Sequence, residues 1–263
     1  MRIATWNINS VRTRVERAVD LLERENLDVL ALQETKVKDA MFPTAPFLEA
    51  GYEVAHHGVN QWNGVAIVSR VGIEDVEAAF PGQPGFGEEP AVEARALGAT
   101  CGGVRVWSLY VPNGRELDHP HYVYKLEWLA RLRHVAGSWL EADPQAQVAL
   151  VGDWNVAPLD TDVWDPAVFE GRTHVSPAER AAFAAMADAG YVEASRELLP
   201  AEHTYTYWDY QQLRFPRNEG MRIDFTYLSP ALRARTTGAT ILRNERKGKG
   251  ASDHVPVILD VEG

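Results

Sequence analysis

Val148-Ala149-Leu150-Val151-Gly152-Asp153-Trp154-Asn155 is an apolar, strand-like run that passes through one glycine straight into an acid and a carboxamide. The glycine permits close approach of a neighbouring backbone, and the polar end belongs at the rim of a sheet. Asp153 and Asn155 lie two apart, which predicts that they share one side of an extended segment. The same pattern recurs along the chain. Trp6-Asn7 closes Arg2-Ile3-Ala4-Thr5, and Gln33-Glu34 closes Val29-Leu30-Ala31-Leu32. Arg222-Ile223-Asp224 opens Phe225-Thr226-Tyr227-Leu228, and Ser252-Asp253-His254 opens Val255-Pro256-Val257-Ile258-Leu259. Strand ends gathered on one rim would form an oxygen-rich pocket suited to a hard divalent cation.

Helical patterns alternate with these strands. Ser10 is placed to cap a helix carrying Val11, Val15, Ala18, Val19 and Leu22 on one face. A second helix is expected over 122–140. A third opens at the capping box Ser176-Pro177-Ala178-Glu179 and is expected to stop at Gly190. Strands are expected at 2–7, 28–33, 64–69, 94–100, 103–111, 147–152, 222–228, 236–242 and 254–261. Many strands with few helices predict two packed sheets with helices outside them. Trp-Asn occurs at 6–7 and again at 154–155, suggesting one domain over 1–263 built from two similar halves. The Gly/Pro-rich stretch 81–90 reads as a surface loop.

Composition is that of a soluble globular protein, with 46% hydrophobic and 24% charged residues. The single Cys101 excludes an intramolecular disulfide, and no apolar run reaches membrane-spanning length. The start, Met1 to Trp6, reads as a strand rather than a signal peptide, so a cytoplasmic protein with no membrane partner is expected. A net charge of −11 argues against a generic polyanion binder. Two basic clusters offset it: Arg214, Arg217 and Arg222 before Asp224, and Arg243, Arg246, Lys247 and Lys249 before Asp253. Their positions point to phosphate contact.

The polar residues divide by chemistry. Glu34 with Asn7 or Asp253 satisfies a magnesium ion that keeps several waters. Asp153 beside Asn155 suits holding and deprotonating a water. Asp224 can fix the tautomer of His254 and favour its imidazolium, placing positive charge on a phosphoryl oxygen. Tyr110 and Arg115 flank the turn Pro112-Asn113-Gly114 and can hydrogen-bond a phosphate. Tyr205, Tyr207, Trp208 and Tyr210 form an aromatic run, read either as a core edge or as a stacking surface for bases and sugars. No Gly-x-Ser-x-Gly elbow supports a serine hydrolase.

Seven motifs in order resemble the exonuclease III family of AP endonucleases, within the endonuclease/exonuclease/phosphatase superfamily. They are Thr5-Trp6-Asn7-Ile8-Asn9, Leu32-Gln33-Glu34-Thr35-Lys36, Trp62-Asn63-Gly64-Val65-Ala66, Tyr110-Val111-Pro112-Asn113-Gly114, Gly152-Asp153-Trp154-Asn155, Arg222-Ile223-Asp224 and Ser252-Asp253-His254. The resemblance covers essentially the whole chain. It implies a four-layer α/β sandwich, two mixed sheets face to face with helices outside, and hydrolysis dependent on Mg²⁺ or Mn²⁺. The implied substrate is double-stranded DNA with abasic sites or 3′-blocked ends. The implied activities are incision 5′ to abasic sites, 3′→5′ exonuclease action and removal of 3′ phosphates, by a monomer.

Residue by residue, the resemblance places Asn7, Glu34 and Asp253 at the metal site, with Asp153, Asn155 and His254 as further candidate ligands of one ion or two. Asp153 corresponds to the residue that activates water, Asn155 to the one that orients it, and Tyr110 to a phosphate-side tyrosine. His254 with Asp224 corresponds to the phosphate-binding dyad. Tyr207, Met221 and Ile223 match an apolar pocket for a flipped abasic sugar, and Arg115, Arg217 and Lys247 are candidate DNA contacts. Met221 stands where relatives often carry Trp, which leaves the tightness of that pocket open. Two competing readings are a superfamily phosphatase acting on inositol phosphates or phospholipids and a non-catalytic DNA-binding relative. Competition between duplex DNA and small phosphoesters, and binding without cleavage, discriminate them.

Overall fold

The computed structural model describes all 263 residues. Its strands, in chain order, are β1 (Arg2–Asn7), β2 (Val29–Gln33), β3 (Glu53–His57), β4 (Val65–Ser69), β5 (Glu74–Ala78), β6 (Ala96–Cys101), β7 (Val104–Tyr110), β8 (Val148–Asp153), β9 (Val192–Glu193), β10 (Asp224–Leu228), β11 (Thr236–Ile241) and β12 (Val257–Val261). The helices are α1 (Val15–Arg24), α2 (Ala45–Glu49), α3 (Pro120–Ala142), α4 (Pro166–Phe169), α5 (Pro177–Ala184), α6 (Ala194–Leu198), α7 (Arg214–Arg217) and α8 (Pro230–Arg235).

Two six-stranded sheets result, ordered β11-β12-β1-β2-β4-β3 and β5-β6-β7-β8-β10-β9. Each has one parallel pair at its centre, β1 with β2 and β7 with β8, and the remaining neighbours are antiparallel. The two halves therefore share one pairing scheme. It equates β1 with β7 and β2 with β8, so Glu34, just past β2, is the counterpart of Asp153 at the end of β8. The Trp-Asn repeat is not the symmetric pair: Trp6 and Asn7 end β1, whereas Trp154 and Asn155 follow β8. The repetition has a local cause. Trp6 Nε1 donates to the carbonyl of His254 and Trp154 Nε1 to that of Phe225, each indole clamping a neighbouring segment.

Three apolar layers hold the architecture. Ile3, Val29, Ala31, Leu97, Val106, Ala149, Val151 and Leu259 meet between the sheets. The outer face of the first sheet sends Trp6, Leu30, Leu32, Ala66 and Val68 against Leu21 and Leu22 of α1 and Phe47 of α2. The outer face of the second sends Trp107, Leu150, Phe225 and Tyr227 against Trp128 and Leu132 of α3 and Phe183 of α5. Strands buried on both faces read as continuous apolar runs, which is why β2, β4 and β8 stand out in the sequence.

Several expectations require correction. Ser10 makes no cap hydrogen bond and has φ +85; a short 3₁₀ turn over Val11–Thr13 intervenes and the helix starts at Val15. The second helix is longer than expected, because the His119 side chain caps it by accepting from the His121 amide. The capping box of α5 forms between Ser176 and Glu179, yet the helix ends at Ala184, and turns carry the chain to Gly190. The strands β3, β5 and β9 were not anticipated. β3 and β5 are edge strands with exposed acidic residues, and β9 spans only two residues.

Candidate active site

The carboxyl ends of the central strands and the loops after them meet along the seam between the sheets. Asn7, buried at the end of β1, donates its amide to Glu34 Oε1 at 2.8 Å and to Asp153 Oδ2 at 3.0 Å. One carboxamide thus bridges an acid from each sheet. Glu34, Asp153 and His254 offer ligand atoms that all lie within 4.8 Å of one another. Glu34 has φ +51, so the chain turns sharply where it leaves β2. Lys36 reaches back to Glu34 Oε2 at 2.7 Å and also donates to Asn9 Oδ1 at 2.6 Å.

His254 enters from the loop before β12. Its Nδ1 lies 2.8 Å from Asp224 Oδ2, and its Nε2 lies 3.8 Å from Asp153 Oδ2. Burial works against its charge, but the Asp224 and Asp153 carboxylates outweigh burial and raise its pKa to about 10. It is an imidazolium at neutral pH. Asp153 is raised to about 7 by burial, with the Asp224 and Glu34 carboxylates adding to the shift against the opposing pull of His254. Burial pushes Glu34 upward too, but the Lys36 ammonium and the Asn7 amide prevail and hold it below its usual range. Tyr110, ending β7, is driven well above its usual range by burial and then by Glu34, so its hydroxyl stays a donor.

The expected relation of Asp153 to Asn155 does not hold. Asn155 has φ +49, leaves the extended path, and its amide donates to Asp153 Oδ1 at 2.9 Å. Its side chain is fixed from three sides. Nδ2 donates to the Val111 carbonyl at 3.0 Å, and Oδ1 faces His174 Nε2 at 3.1 Å and Asn113 Nδ2 at 3.4 Å. These contacts hold the Asn155 carboxamide between the loops that carry Val111, Asn113 and His174. Asp253 stands beside the core of the cluster, accepting from Asn9 Nδ2 at 2.9 Å and from Ser252 Oγ at 3.3 Å.

The apolar residues also gather. Met221 and Ile223 are buried with Ala157 and Val163, and Tyr207, Phe169 and Val175 pack against them. Tyr207 pairs through its backbone with Met221 and His254, and its ring centre is 4.9 Å from that of His254. Arg115 is exposed, has φ +61, and lines a cavity of about 670 Å³ with Asn113, Phe169, His174 and Met221. Arg217 and Lys247 are exposed on α7 and just past the 3₁₀ turn Arg243–Arg246, away from this cluster of contacts. Four other members of the basic clusters make contacts within the protein. Arg222 is wholly buried and donates to the Leu199 carbonyl and Ser195 Oγ. Arg214 stacks on Trp164, and Arg243 and Arg246 stack on the rings of Phe215, Trp208 and Tyr210.

Sequence reasoning missed Lys36 and His174. Lys36 follows Glu34 by two positions, a spacing that hints at a partner once the turn is known. His174 sits in an irregular loop with no pattern around it, and only the fold brings it to Asn155.

Comparison with known proteins agrees with this arrangement. A family model described as the Endonuclease/Exonuclease/phosphatase family matches residues 4–254. An exodeoxyribonuclease of Bacillus subtilis (strain 168) is 31% identical, the match covering 98% of each chain. Among solved structures, an AP endonuclease from Archaeoglobus fulgidus superposes with a TM-score of 0.92 at 33% identity over the whole of both chains. The 3′ phosphatase NExo from Neisseria, bound to a product DNA hairpin, superposes at 0.93 with 33% identity, again over both whole chains. A shared sandwich, a seam-spanning acidic cluster and full-length matches lead to one conclusion: the chain belongs to the Endonuclease/Exonuclease/phosphatase family.

Proposed function

We propose that this chain is a DNA repair nuclease that hydrolyses phosphate esters in duplex DNA, cutting 5′ to abasic sites, trimming 3′ ends and removing 3′ phosphates. The observation that carries the reading is the convergence of Glu34, Asp153 and His254 within 4.8 Å at the seam. Each supplies a different function. Asp153, whose pKa burial raises above the usual carboxylate range before any cation binds, is placed to accept a proton from an attacking water. The His254 imidazolium, held by Asp224, and the Tyr110 hydroxyl donate to phosphate oxygens where negative charge grows. The second Nδ2 hydrogen of Asn155 orients the water.

The donor set also fits a hard divalent cation. Glu34 is held below its usual range and lies with Asp153 in one converging set of ligand atoms, so these two carboxylates would hold Mg²⁺ or Mn²⁺, while Asn7 positions them through its Nδ2 and turns its oxygen to the Asn9 amide. Such an ion supplies charge neutralisation at the phosphate, on a reaction slow enough to need roughly 20 kcal/mol of barrier lowering. Lys36, which pairs with Glu34, keeps that carboxylate ionised before the ion arrives. A monomer acting in the cytoplasm is part of this proposal.

A second reading within the class follows from His174. Its ring shares the cavity of Met221 and Phe169 and is tied to Asn155, so it takes room that a baseless sugar would need. A terminal 3′ phosphate needs no such room, which favours end processing over abasic incision. The test is one assay on abasic, nicked and 3′-phosphorylated duplexes, with Mg²⁺ and with chelator. Wild type should cleave only with the metal, with 3′ phosphate removed fastest. Asp153→Asn should lose about 10²–10⁴-fold in kcat while binding DNA nearly as well. Intact DNA after long incubation of wild type with Mg²⁺ or Mn²⁺ would refute the assignment.

A further inference from the structure

Behind the site, and apart from the groups that face the substrate, Lys125 and Glu179 form an ion pair with both side chains completely buried. Lys125 projects from α3 and Glu179 from the first turn of α5. The Lys125 ammonium touches Glu179 Oε1 and donates to the backbone carbonyls of Asn155 at 2.6 Å and Asn113 at 3.2 Å. An ammonium has three hydrogens, so these acceptors saturate it. Glu179 in turn accepts from the Thr173 hydroxyl at 2.6 Å, the His174 amide at 2.9 Å, and the Ser176 amide and hydroxyl at 3.1 and 2.6 Å. One buried pair therefore ties together the loops 111–115, 153–157 and 172–176. Each of the other two loops also contacts the Asn155 side chain, through Val111 and Asn113 on one side and His174 on the other.

Stability alone is a weak reason for such a pair. Apolar side chains of the same volume usually serve a core equally well, because two buried charges lose their hydration. Lys125 does something an apolar residue cannot. Asn155 is held in the left-handed region, at φ +49, and the donor to its carbonyl is Lys125. Asparagine enters that region more readily than other side chains but also leaves it readily for extended backbone, so a fixed donor on its carbonyl is what selects the one turn. The catalytic turn thus depends on a charge that never meets the substrate.

We propose that the Lys125–Glu179 pair is a positioning device for catalysis, fixing the turn that aims the Asn155 carboxamide into the site. The activity readout rests on the nuclease reading above; the spectroscopic one does not. The experiment compares wild type, Lys125→Met and Lys125→Met/Glu179→Gln as full-length chains. Thermal midpoints are measured together with kcat and KM on a 3′-phosphorylated duplex with Mg²⁺. The Asn155 side-chain amide is followed by NMR in ¹⁵N-labelled protein without metal or DNA. Lys125→Met should lower the midpoint by stranding Glu179, and the double variant should recover most of it. Its kcat should nevertheless stay about 10- to 100-fold down, with KM changed by less than about twofold. Its Asn155 amide signals should move towards those of a free asparagine.

A double variant with wild-type kcat, or with unmoved Asn155 signals, overturns the proposal and leaves the pair a packing element. If wild type cleaves no DNA, the nuclease reading fails while the amide signals still decide this one. Should the double variant not fold, Glu179→Gln alone keeps one acceptor oxygen for Lys125, Thr173 and the His174 amide, turns the other into a donor beside Ser176, and removes the counter-charge. It should lower kcat at unchanged KM, and an unchanged kcat would overturn the proposal.

Discussion

His254 is charged at neutral pH because Asp224 lies 2.8 Å from its Nδ1 in a buried setting. The sign of the consequence is fixed. A histidine with a raised pKa loses its charge only as pH climbs through that value, about 10 here. Asp224→Asn removes the strongest of the charge-favouring neighbours, so the pKa of His254 should fall towards the ordinary range. The variant should then lose activity as pH rises from 6 to 9, where wild type does not, with a loss at pH 8 of about 10²–10³-fold. An NMR titration of the His254 ring and the pH–rate profile check this together. The residues that announced themselves in the sequence were those whose identity is unusual at a strand end: Glu34, Asp153 and Asp224. Asn155 was found but misplaced, because Asp-x-Asn is compatible with both a strand and a left-handed turn. His174 and Lys125 could not be found, since their partners are distant in sequence and a buried lysine looks like any solvated one.

At the scale of elements, the parallel pairing of β7 with β8 is the tightest constraint on the site. Gly152 sits opposite Leu109, and a Cβ there would lie 1.9 Å from the Leu109 carbonyl oxygen. Gly152→Ala should therefore destabilise the protein by about 1–3 kcal/mol, read as a lower urea midpoint. Because Asp153 is the next residue, activity should fall further than stability does at temperatures where the variant is folded. The apolar runs of β2, β4 and β8 made those strands legible, as burial on both faces leaves no polar interruption. Edge strands gave no such signal. β5 alternates weakly, with Glu74, Asp75 and Glu77 around Val76, and its acidic character suits an unpaired edge more than it suggests a strand.

Over the whole molecule, buried neutral histidines set the response to acid. His121, whose Nδ1 accepts the Gly114 amide, is lowered to about 4 by burial and then by Arg95 and Arg115. His56 is likewise lowered to about 4, by burial opposed by Asp39. A folded pKa below the unfolded value means the unfolded chain takes up protons first. The contribution of these two histidines to stability is then complete above about pH 6.5 and is lost as pH falls towards 4. Urea midpoints at pH 7, 5.5 and 4.5 should decline in that order, and His121→Gln, which keeps an acceptor for Gly114, should make the decline shallower. The sandwich itself was readable from strand count and spacing. The equivalence of β1 with β7 was not, because it lies in the order of pairing and the Trp-Asn repeat pointed elsewhere.

The bridging carboxamide of Asn7, bonded to one acid from each sheet, makes the proposed reaction centre a gauge of how the two slabs sit on each other. A sideways slip of one slab by a fraction of a bond length would pull Glu34 and Asp153 apart while every ladder within each sheet stayed intact. Warming would then silence the enzyme before it melts, and residues deep in the slab interface, such as Ala149 and Leu97, would influence turnover without ever approaching DNA.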